Sequence, residues 1–314
     1  MGLANTGRKG GAARFNAEPT SGASDSGKSF DVATRGRVQL VCDFVNAEVA
    51  RWRNQLIGVA VACLVGMVLF PMVTRIVDAR IAVVIVAGIV GFWFVRARRE
   101  LASSYDKLAT KRLVAATNKA LTYKPVSTLT REQFVSLDLF PVPGKGWKGG
   151  HEIGGRSGNT PFALSAVLAP ATERGPAVFR GVIIRLDFPT SFPGNTVVFS
   201  EGASGAGSAA KRDLVLVNNP EFERMFSAYS TDYSQARQLF TDQVMELIIT
   251  AAKMFGPDIR LAFVRRSVFV AVPNATLLPE VTLLSAPLTP ESATGQMARL
   301  VAFAGGLAKA VGGE

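Results

Sequence analysis

The sequence has little cysteine and little histidine, and both shortages limit the chemistry that it can support. Its 314 residues include two cysteines and one histidine. Cys42 and Cys63 cannot form a disulfide framework, and their spacing matches no metal motif, so two small apolar side chains are the simpler interpretation. A single histidine, His151, excludes the common multi-histidine metal sites. We therefore expect no metal site and no cofactor.

Motifs that carry an enzymatic nucleophile or a nucleotide are also missing. No G-x-S-x-G elbow occurs, and His151 lies in a glycine-rich stretch, Gly144–Gly158, that we predict to be a loop. The run Gly22–Ser29 fits the phosphate-loop pattern. It has no strand before it, and it lies in a Gly- and Ser-rich segment where chance matches are common. We expect no catalytic residues, and an enzyme is the less favoured interpretation.

The positive charge is concentrated in the first part of the chain. The net charge is +11, but up to Lys124 there are 18 Lys and Arg against 8 Asp and Glu, whereas from Pro125 onward there are 17 against 16. A nucleic-acid-binding domain needs its own basic face, so we expect no nucleic-acid partner. Basic residues near the start of the chain suit contact with anionic lipid headgroups.

Apolar residues are in excess between Leu56 and Val95. We interpret this segment as a transmembrane helical hairpin with spans 56–73 and 76–95, each close to the length that a bilayer requires. A buried hairpin in a soluble core is the alternative. Arginines and tryptophans flank the runs, as at a membrane interface, namely Arg51, Trp52, Arg53, Trp93, Arg96, Arg98 and Arg99. The positive-inside rule then places both termini in the cytoplasm.

Small residues recur every four positions in both apolar runs. Gly58, Ala62 and Gly66 share one face of the first, and Ala87 and Gly91 share one face of the second. Such spacing lets helix backbones approach closely. It could serve the hairpin itself or an oligomer, and the sequence does not choose between them.

The remaining patterns predict an α+β domain with a largely antiparallel sheet and packed helices, because strands, helices and strands follow in that order. Strands are predicted over 162–168, 177–188, 196–199, 214–217, 259–264 and 268–272. The full predicted order is a disordered tail (1–35), an amphipathic juxtamembrane helix (36–55), the hairpin (56–95), a basic juxtamembrane helix (96–124), the α+β domain (125–288) and a C-terminal amphipathic helix (289–314). That last helix is expected to pack on the domain or on a second subunit rather than on a membrane.

The segment from Phe222 to Thr241 is the densest in aromatic and polar residues. Asp232 and Thr241 are both good N-cap residues, each opening a helix, and Arg237 lies about one turn after Asp232. We interpret the segment first as a structural corner between two helices. Asp232, Arg237 and Thr241 are the candidate ligand-binding residues if the corner is a site.

This segment also resembles the hallmark of a bacterial family of two-span membrane proteins, domain of unknown function three-one-three-seven, whose pattern is F-x-x-x-F-x-x-Y-x-[ST]-D-x-x-E-A-R-x-L-[LF]-T. The matching residues are Phe222, Phe226, Tyr229, Thr231, Asp232, Ala236, Arg237, Leu239, Phe240 and Thr241. Gln235 stands where the family usually has glutamate, a change that a structural role tolerates better than a catalytic one. The segments His151–Leu164 and Phe179–Phe188 are similar to the family too.

The resemblance covers roughly Arg51 to Val272 and implies topology and fold but no activity. It places the protein in the bacterial inner membrane. We expect a membrane-anchored interaction or assembly module at the cytoplasmic face, with a protein partner or a second copy as ligand. The alternative is a membrane-tethered ligand sensor or enzyme with its site around Asp232 and Arg237.

Overall fold

The computed structural model describes residues 25–74, 79–104, 109–171, 177–192, 194–201 and 212–312. Within the first two helices, side chains are described for residues 34–66 and 84–100. The helices are α1 (Asp25–Thr74), α2 (Ala79–Ser104), α3 (Thr110–Thr117), α4 (Arg131–Ser136), α5 (Pro220–Met225), α6 (Tyr233–Leu239), α7 (Asp242–Phe255) and α8 (Pro290–Gly312). The strands are β1 (Thr122–Lys124), β2 (Lys148–Ser157), β3 (Thr160–Pro170), β4 (Ala177–Asp187), β5 (Asn195–Ser200), β6 (Asp213–Val215), β7 (Phe226–Ser230), β8 (Arg260–Val264) and β9 (Ser267–Pro273).

The predicted transmembrane hairpin is wrong. Among the described residues, no helix combines the length and the apolar character that crossing a membrane requires. The uncharged runs Leu56–Val73 and Ile81–Val95 have 18 and 15 residues, fewer than the roughly 20 that a bilayer requires. The multi-pass inner-membrane location and the topology deduced from the hairpin are corrected with it.

Several sequence-based expectations fall outside the described residues. These are most of the disordered tail and the short connection after Thr74. The side chains of the phosphate-loop-like run at Gly22–Ser29 lie outside them as well. Helix α1 begins at Asp25, inside the range that was expected to be a tail.

The antiparallel α+β fold is confirmed. Within the described chain, nine strands form one sheet in the order β1-β2-β3-β4-β9-β8-β5-β7-β6, and each neighbouring pair is antiparallel. Both edge strands have three residues. Short edges leave few unpaired backbone groups for another chain to pair with.

Strand β2 was not predicted, because its glycines read as a loop. A Cβ at Gly154 would lie 2.9 Å from the Thr122 hydroxyl, and one at Gly155 would meet the ring of Phe162 and the side chain of Leu121. Glycine at these positions therefore lets β1 and an aromatic ring lie close against β2. A glycine inside a strand often marks such a close approach of a neighbouring group.

The two faces of the sheet carry different cores. Helices α1, α3, α7 and α8 cover one face, where Leu164, Val182 and Ile184 are fully buried. On the opposite face Phe134 of α4 packs with Trp147 and Phe179 over Val167 and Ile183. Alternate residues of each strand supply the two cores, as the period of a β-strand requires.

The N-terminal half of α1 is part of this core. Val38 and Cys42 are 1% exposed and belong to the helix-side cluster, while Val45 and Val49 pack with Ala97 of α2 and Leu283. The amphipathic stripe that the sequence shows here is therefore buried against the α+β domain. Burial and the neighbouring Asp43 raise the pKa of the Cys42 thiol, which keeps it protonated and unreactive.

Candidate functional site

The corner around Asp232 consists of helix caps. The Asp232 carboxylate accepts hydrogen bonds from the Gln235 backbone N–H, at 3.1 Å, and from the Ser234 hydroxyl, at 3.0 Å. The Thr241 hydroxyl accepts from the Val244 backbone N–H at 3.3 Å. These bonds satisfy backbone donors that the first turn of α6 and of α7 would leave unpaired.

The residues around Asp232 are hydrogen-bonded to one another as well. The buried Ser230 hydroxyl lies 2.8 Å from that of Thr196 and 3.0 Å from the Asp232 carbonyl oxygen. Thr231 accepts from the Asn195 backbone N–H at 2.9 Å. The polar atoms of the corner therefore tie β5, β7 and α6 together, which leaves them little capacity for a ligand.

Arg237 does not join this network. Its side chain is exposed, and among the described residues it forms no ion pair with Asp232. The aromatic members of the segment form a core instead, with Phe222 lying 5.2 Å from Phe226 and 5.7 Å from Phe240 between ring centroids. The structure thus brings Asp232 and Thr241 into capping roles and leaves Arg237 apart from them.

The substitution at Gln235 is explained by the same geometry. The cap uses the backbone N–H of this residue, and that donor is the same in glutamine and glutamate. The departure from the family pattern therefore leaves the cap of α6 intact.

His151 lies in strand β2 rather than in a loop. Its Nδ1 is 2.6 Å from the Tyr123 hydroxyl, and the two rings stack with their centroids 5.7 Å apart. Tyr123 also packs against the helix-side core. The pair thus joins β1 to β2 and sets the orientation of the imidazole.

The next residue, Glu152, is 3% exposed and fully engaged. Its carboxylate accepts hydrogen bonds from the Thr128 backbone N–H at 2.7 Å and the Thr128 hydroxyl at 2.6 Å. The Ser165 hydroxyl and the Lys124 ammonium each donate from 3.2 Å. Burial acts to raise the pKa of Glu152, but the bonds from Thr128 and Lys124 outweigh it, so the pKa lies below its ordinary value.

A groove of about 570 Å³ lies within the described part of the chain. Residues of β2, β3 and β4 form its floor. One wall is the segment 275–283, which follows β9, and Arg98 of α2 stands at its rim. This volume is in the range of small-molecule sites in proteins.

Two contacts hold the wall of the groove in place. The Asn274 backbone N–H donates to the Arg180 carbonyl oxygen at 2.8 Å. The Gln296 side-chain oxygen accepts from the backbone N–H and the hydroxyl of Thr276, at 3.2 and 2.8 Å. The wall is therefore connected to β4 on one side and to α8 on the other.

The groove was missed by sequence reasoning because its lining comes from five separated segments. Among its residues, the sequence singles out only His151, expected in a loop, and Arg98, expected at a membrane interface. The available signal is a pair of cations, Lys148 at the start of β2 and Arg180 in β4, on either side of Leu168 in the intervening strand β3. Reading that signal required knowing that residues 148–157 form a strand.

The residues predicted to lie at a membrane interface take several positions. Trp52 donates to the Glu48 carboxylate at 3.1 Å and packs against the cluster that contains Val49 and Leu283, and Arg51 lies 3.9 Å from the same carboxylate. Trp93 is half-buried, Arg53, Arg96 and Arg99 are exposed, and Arg98 is the groove residue. In the described part of the chain, no group of His, Cys, Asp and Glu side chains could hold a metal ion.

Comparisons with known proteins give a family match over part of the chain and a similar solved structure. The family model described as "Protein of unknown function (DUF3137)" matches residues 177–309, which include the Phe222–Thr241 segment. No curated protein matches the chain. A similar solved structure is that of the mycobacterial trehalose monomycolate transport factor A. It is 12% identical with a TM-score of 0.38, over 64% of this chain and 94% of that one.

Proposed function

We propose that the protein is an interaction and assembly module whose helical arm binds the same arm of a second copy. The arm is defined as residues 51–66 of α1 with residues 84–95 of α2. The observation that carries the proposal is the apolar surface that these two helices expose. Extended apolar patches of this kind mark interaction sites on folded proteins.

The exposed side chains of the arm follow helical spacing on both helices. Ile57, Val61 and Leu64 lie on one face of α1 and are 53–56% exposed. Ile85, Ile89 and Phe92 lie on one face of α2, where Phe92 is 65% exposed. Residues at this spacing form a continuous stripe along a helix. A second copy presents a matching stripe, and a twofold pair would bury both.

The glycines of the arm favour a partner over packing within the hairpin. Among the described residues, no atom outside the helix's own backbone and the adjoining residues lies within 4 Å of a Cβ built on Gly58, Gly66, Gly88 or Gly91. Within that part of the chain, these small positions make no close contact between α1 and α2. They leave open surface on which another helix could pack closely.

The parts of α1 and α2 next to the arm are attached to the domain. The Asn46 side chain exchanges two hydrogen bonds with the backbone of Leu288, and Val45, Val49 and Ala97 are buried with Leu283. Assembly through the arm would thus bring the domains of two copies into a defined relation. The predicted contact of the nearby arginines with anionic headgroups stays a prediction.

Site-specific cross-linking tests the proposal. A photoreactive residue at Val61 or Ile89 of the full chain should give an adduct of twice the chain mass on irradiation. The same residue at Leu284, which is 87% exposed outside the arm, is the matched control and should give none. Cross-links from Val61 to lipid or detergent alone, without a twofold adduct, would contradict assembly through the arm.

A further inference from the structure

We infer that the groove beside β2, β3 and β4 is a binding site for a small amphipathic anion, a single phosphate or carboxylate on an apolar body. The inference does not rest on assembly through the arm. It rests on the charge, the shape and the position of the groove.

The floor of the groove alternates cationic and apolar side chains across three strands. Lys148 of β2 is directly opposite Leu168 of β3, and Leu168 is directly opposite Arg180 of β4. Directly opposed residues in neighbouring strands project from the same face of a sheet. Leu168 therefore lies between two cations on the surface that lines the groove, and it is 36% exposed.

The apolar part of the floor continues inward from Leu168. Ala166 follows on the same face of β3, and a Cβ on Gly150 of β2 would lie 3.5 Å from the Ala166 Cβ. These small residues make the floor concave. Leu277, Leu278 and Leu283 supply the opposite wall. An alkyl or aryl group placed here would lose its contact with water on both sides.

The charge of the residues that line the groove favours a ligand of negative charge. Among the described lining residues, Arg98, Lys148 and Arg180 are the basic arginine and lysine residues, and Glu280 is the one carboxylate. Glu280 lies 3.2 Å from Arg180 in an exposed ion pair, which is a weak interaction in water. The charges of Arg98 and Lys148 favour an anion in the groove, and such an anion can compete with Glu280 for Arg180.

The volume favours a small molecule over a polymer. About 570 Å³ accommodates a ligand of modest size. The groove is also closed at its side by the wall 275–283, which is tied to both β4 and α8. An extended peptide lying across the sheet would have to displace this wall.

The test is calorimetric binding of decyl phosphate to the full chain, below the concentration at which the probe forms micelles. Decyltrimethylammonium has the same chain with the opposite charge, and inorganic phosphate has the charge without the chain. We expect decyl phosphate to bind and both controls to bind at least tenfold more weakly. Equal binding of the cationic probe, or of phosphate alone, would overturn the inference, as would absence of decyl phosphate binding.

Single substitutions locate the binding site, because some are expected to lower the affinity for decyl phosphate and one is expected to raise it. Arg98→Gln and Lys148→Gln should each lower the affinity about tenfold, because each removes a charged donor. Glu280→Gln should raise it, because it removes the lining carboxylate and releases Arg180. Lys253→Gln, which removes a cation that pairs with Glu221 outside the groove, is the matched control and should not change it. An equal loss in Lys253→Gln, or no change in Lys148→Gln, would exclude the groove as the site.

Discussion

Asn46 of α1 recognises the backbone of Leu288, 242 residues further along the chain, through two reciprocal hydrogen bonds. Its side-chain N–H donates to the Leu288 carbonyl oxygen at 2.9 Å, and its side-chain oxygen accepts from the Leu288 N–H at 2.7 Å. An amide is the side chain that can both donate and accept in this way. The pair therefore attaches α1, just before the arm begins, to the segment that leads into α8.

Replacing Asn46 by aspartate tests this attachment. Asn46→Asp keeps the acceptor but loses the donor, and it places a carboxylate oxygen against the Leu288 carbonyl. We expect a loss of about 1–3 kcal/mol in the free energy of unfolding. Urea denaturation measures it, and amide hydrogen exchange at Leu288 should become faster.

The chain offers a control with the same chemical change. Asn118 uses its side-chain oxygen to accept from the Ala120 N–H, a role that aspartate can fill. Asn118→Asp should therefore change stability by less than about 0.5 kcal/mol. Equal effects of the two variants would show that the reciprocal bonds of Asn46 are not what matters.

Glu152 predicts a dependence of stability on pH. Its pKa is lower in the folded protein than the ordinary value of 4.5, so the folded state binds fewer protons there than the unfolded state. The stabilisation is complete above the unfolded pKa and is lost as the pH falls through the folded one. Stability should thus decline below about pH 4.5, in part because of this residue.

The variant Glu152→Gln isolates the contribution of this residue to the pH dependence of stability. Glu132 and Glu221 also have lowered pKa values, Glu132 through hydrogen bonds at its helix start and Glu221 through Lys253, and both remain in the variant. The difference in unfolding free energy between parent and variant should be about 1–3 kcal/mol at neutral pH and should shrink on acidification. A difference that stays constant down to pH 3 would contradict this role for Glu152.

Variants at the corner around Asp232 distinguish a helix cap from a binding site. Asp232→Ala removes the acceptor for the first turn of α6 and should cost about 1 kcal/mol. Arg237→Ala removes an exposed side chain and should change stability by less than about 0.5 kcal/mol. Thermal unfolding of both variants measures the contrast. A folded, equally stable Asp232→Ala protein would favour the ligand-site interpretation instead.

Two glycines of the groove predict opposite tolerance to alanine. A Cβ at Gly181 would collide with the backbone carbonyl of Val272 on the neighbouring strand, and backbone cannot move aside without disturbing the pairing. Gly181→Ala should lose about 3 kcal/mol or more. Gly150→Ala meets its nearest atoms at 3.5 Å and should be nearly neutral. Similar denaturation midpoints for both variants would contradict this contrast.

The α+β class could be predicted because alternating apolar residues mark the long strands and cap residues mark the helices. Thr130 with Gln133 forms a capping box at α4, and Asp232 and Thr241 cap α6 and α7 as their spacing indicates. Strand β2 could not be predicted from local composition. Its glycines are explained by contacts with Thr122 and Phe162, which become visible only once the sheet is assembled.

The predicted apolar hairpin shows a second limit of prediction from the sequence. An uncharged run followed by arginines predicts a membrane span equally well whether its ends are free or packed on a domain. In the structure Ala97 is fully buried and Trp52 packs against the same cluster, while the flanking arginines stay exposed. The sequence predicts the stripe of α1 from Val38 to Val49 only as part of an amphipathic juxtamembrane helix, because residues that pack with it, such as Leu283, follow far later in the chain.

The mass of the full chain in solution, measured by sedimentation velocity over increasing concentration, tests assembly through the arm most directly. We predict a mass that rises to at least twice that of the chain. The double variant Val61→Ser and Ile89→Ser should remain monomeric, since it removes apolar surface from both stripes, whereas Leu284→Ser should behave as the parent. A parent protein that is monomeric at every concentration, or a double variant that assembles as the parent does, would contradict the account.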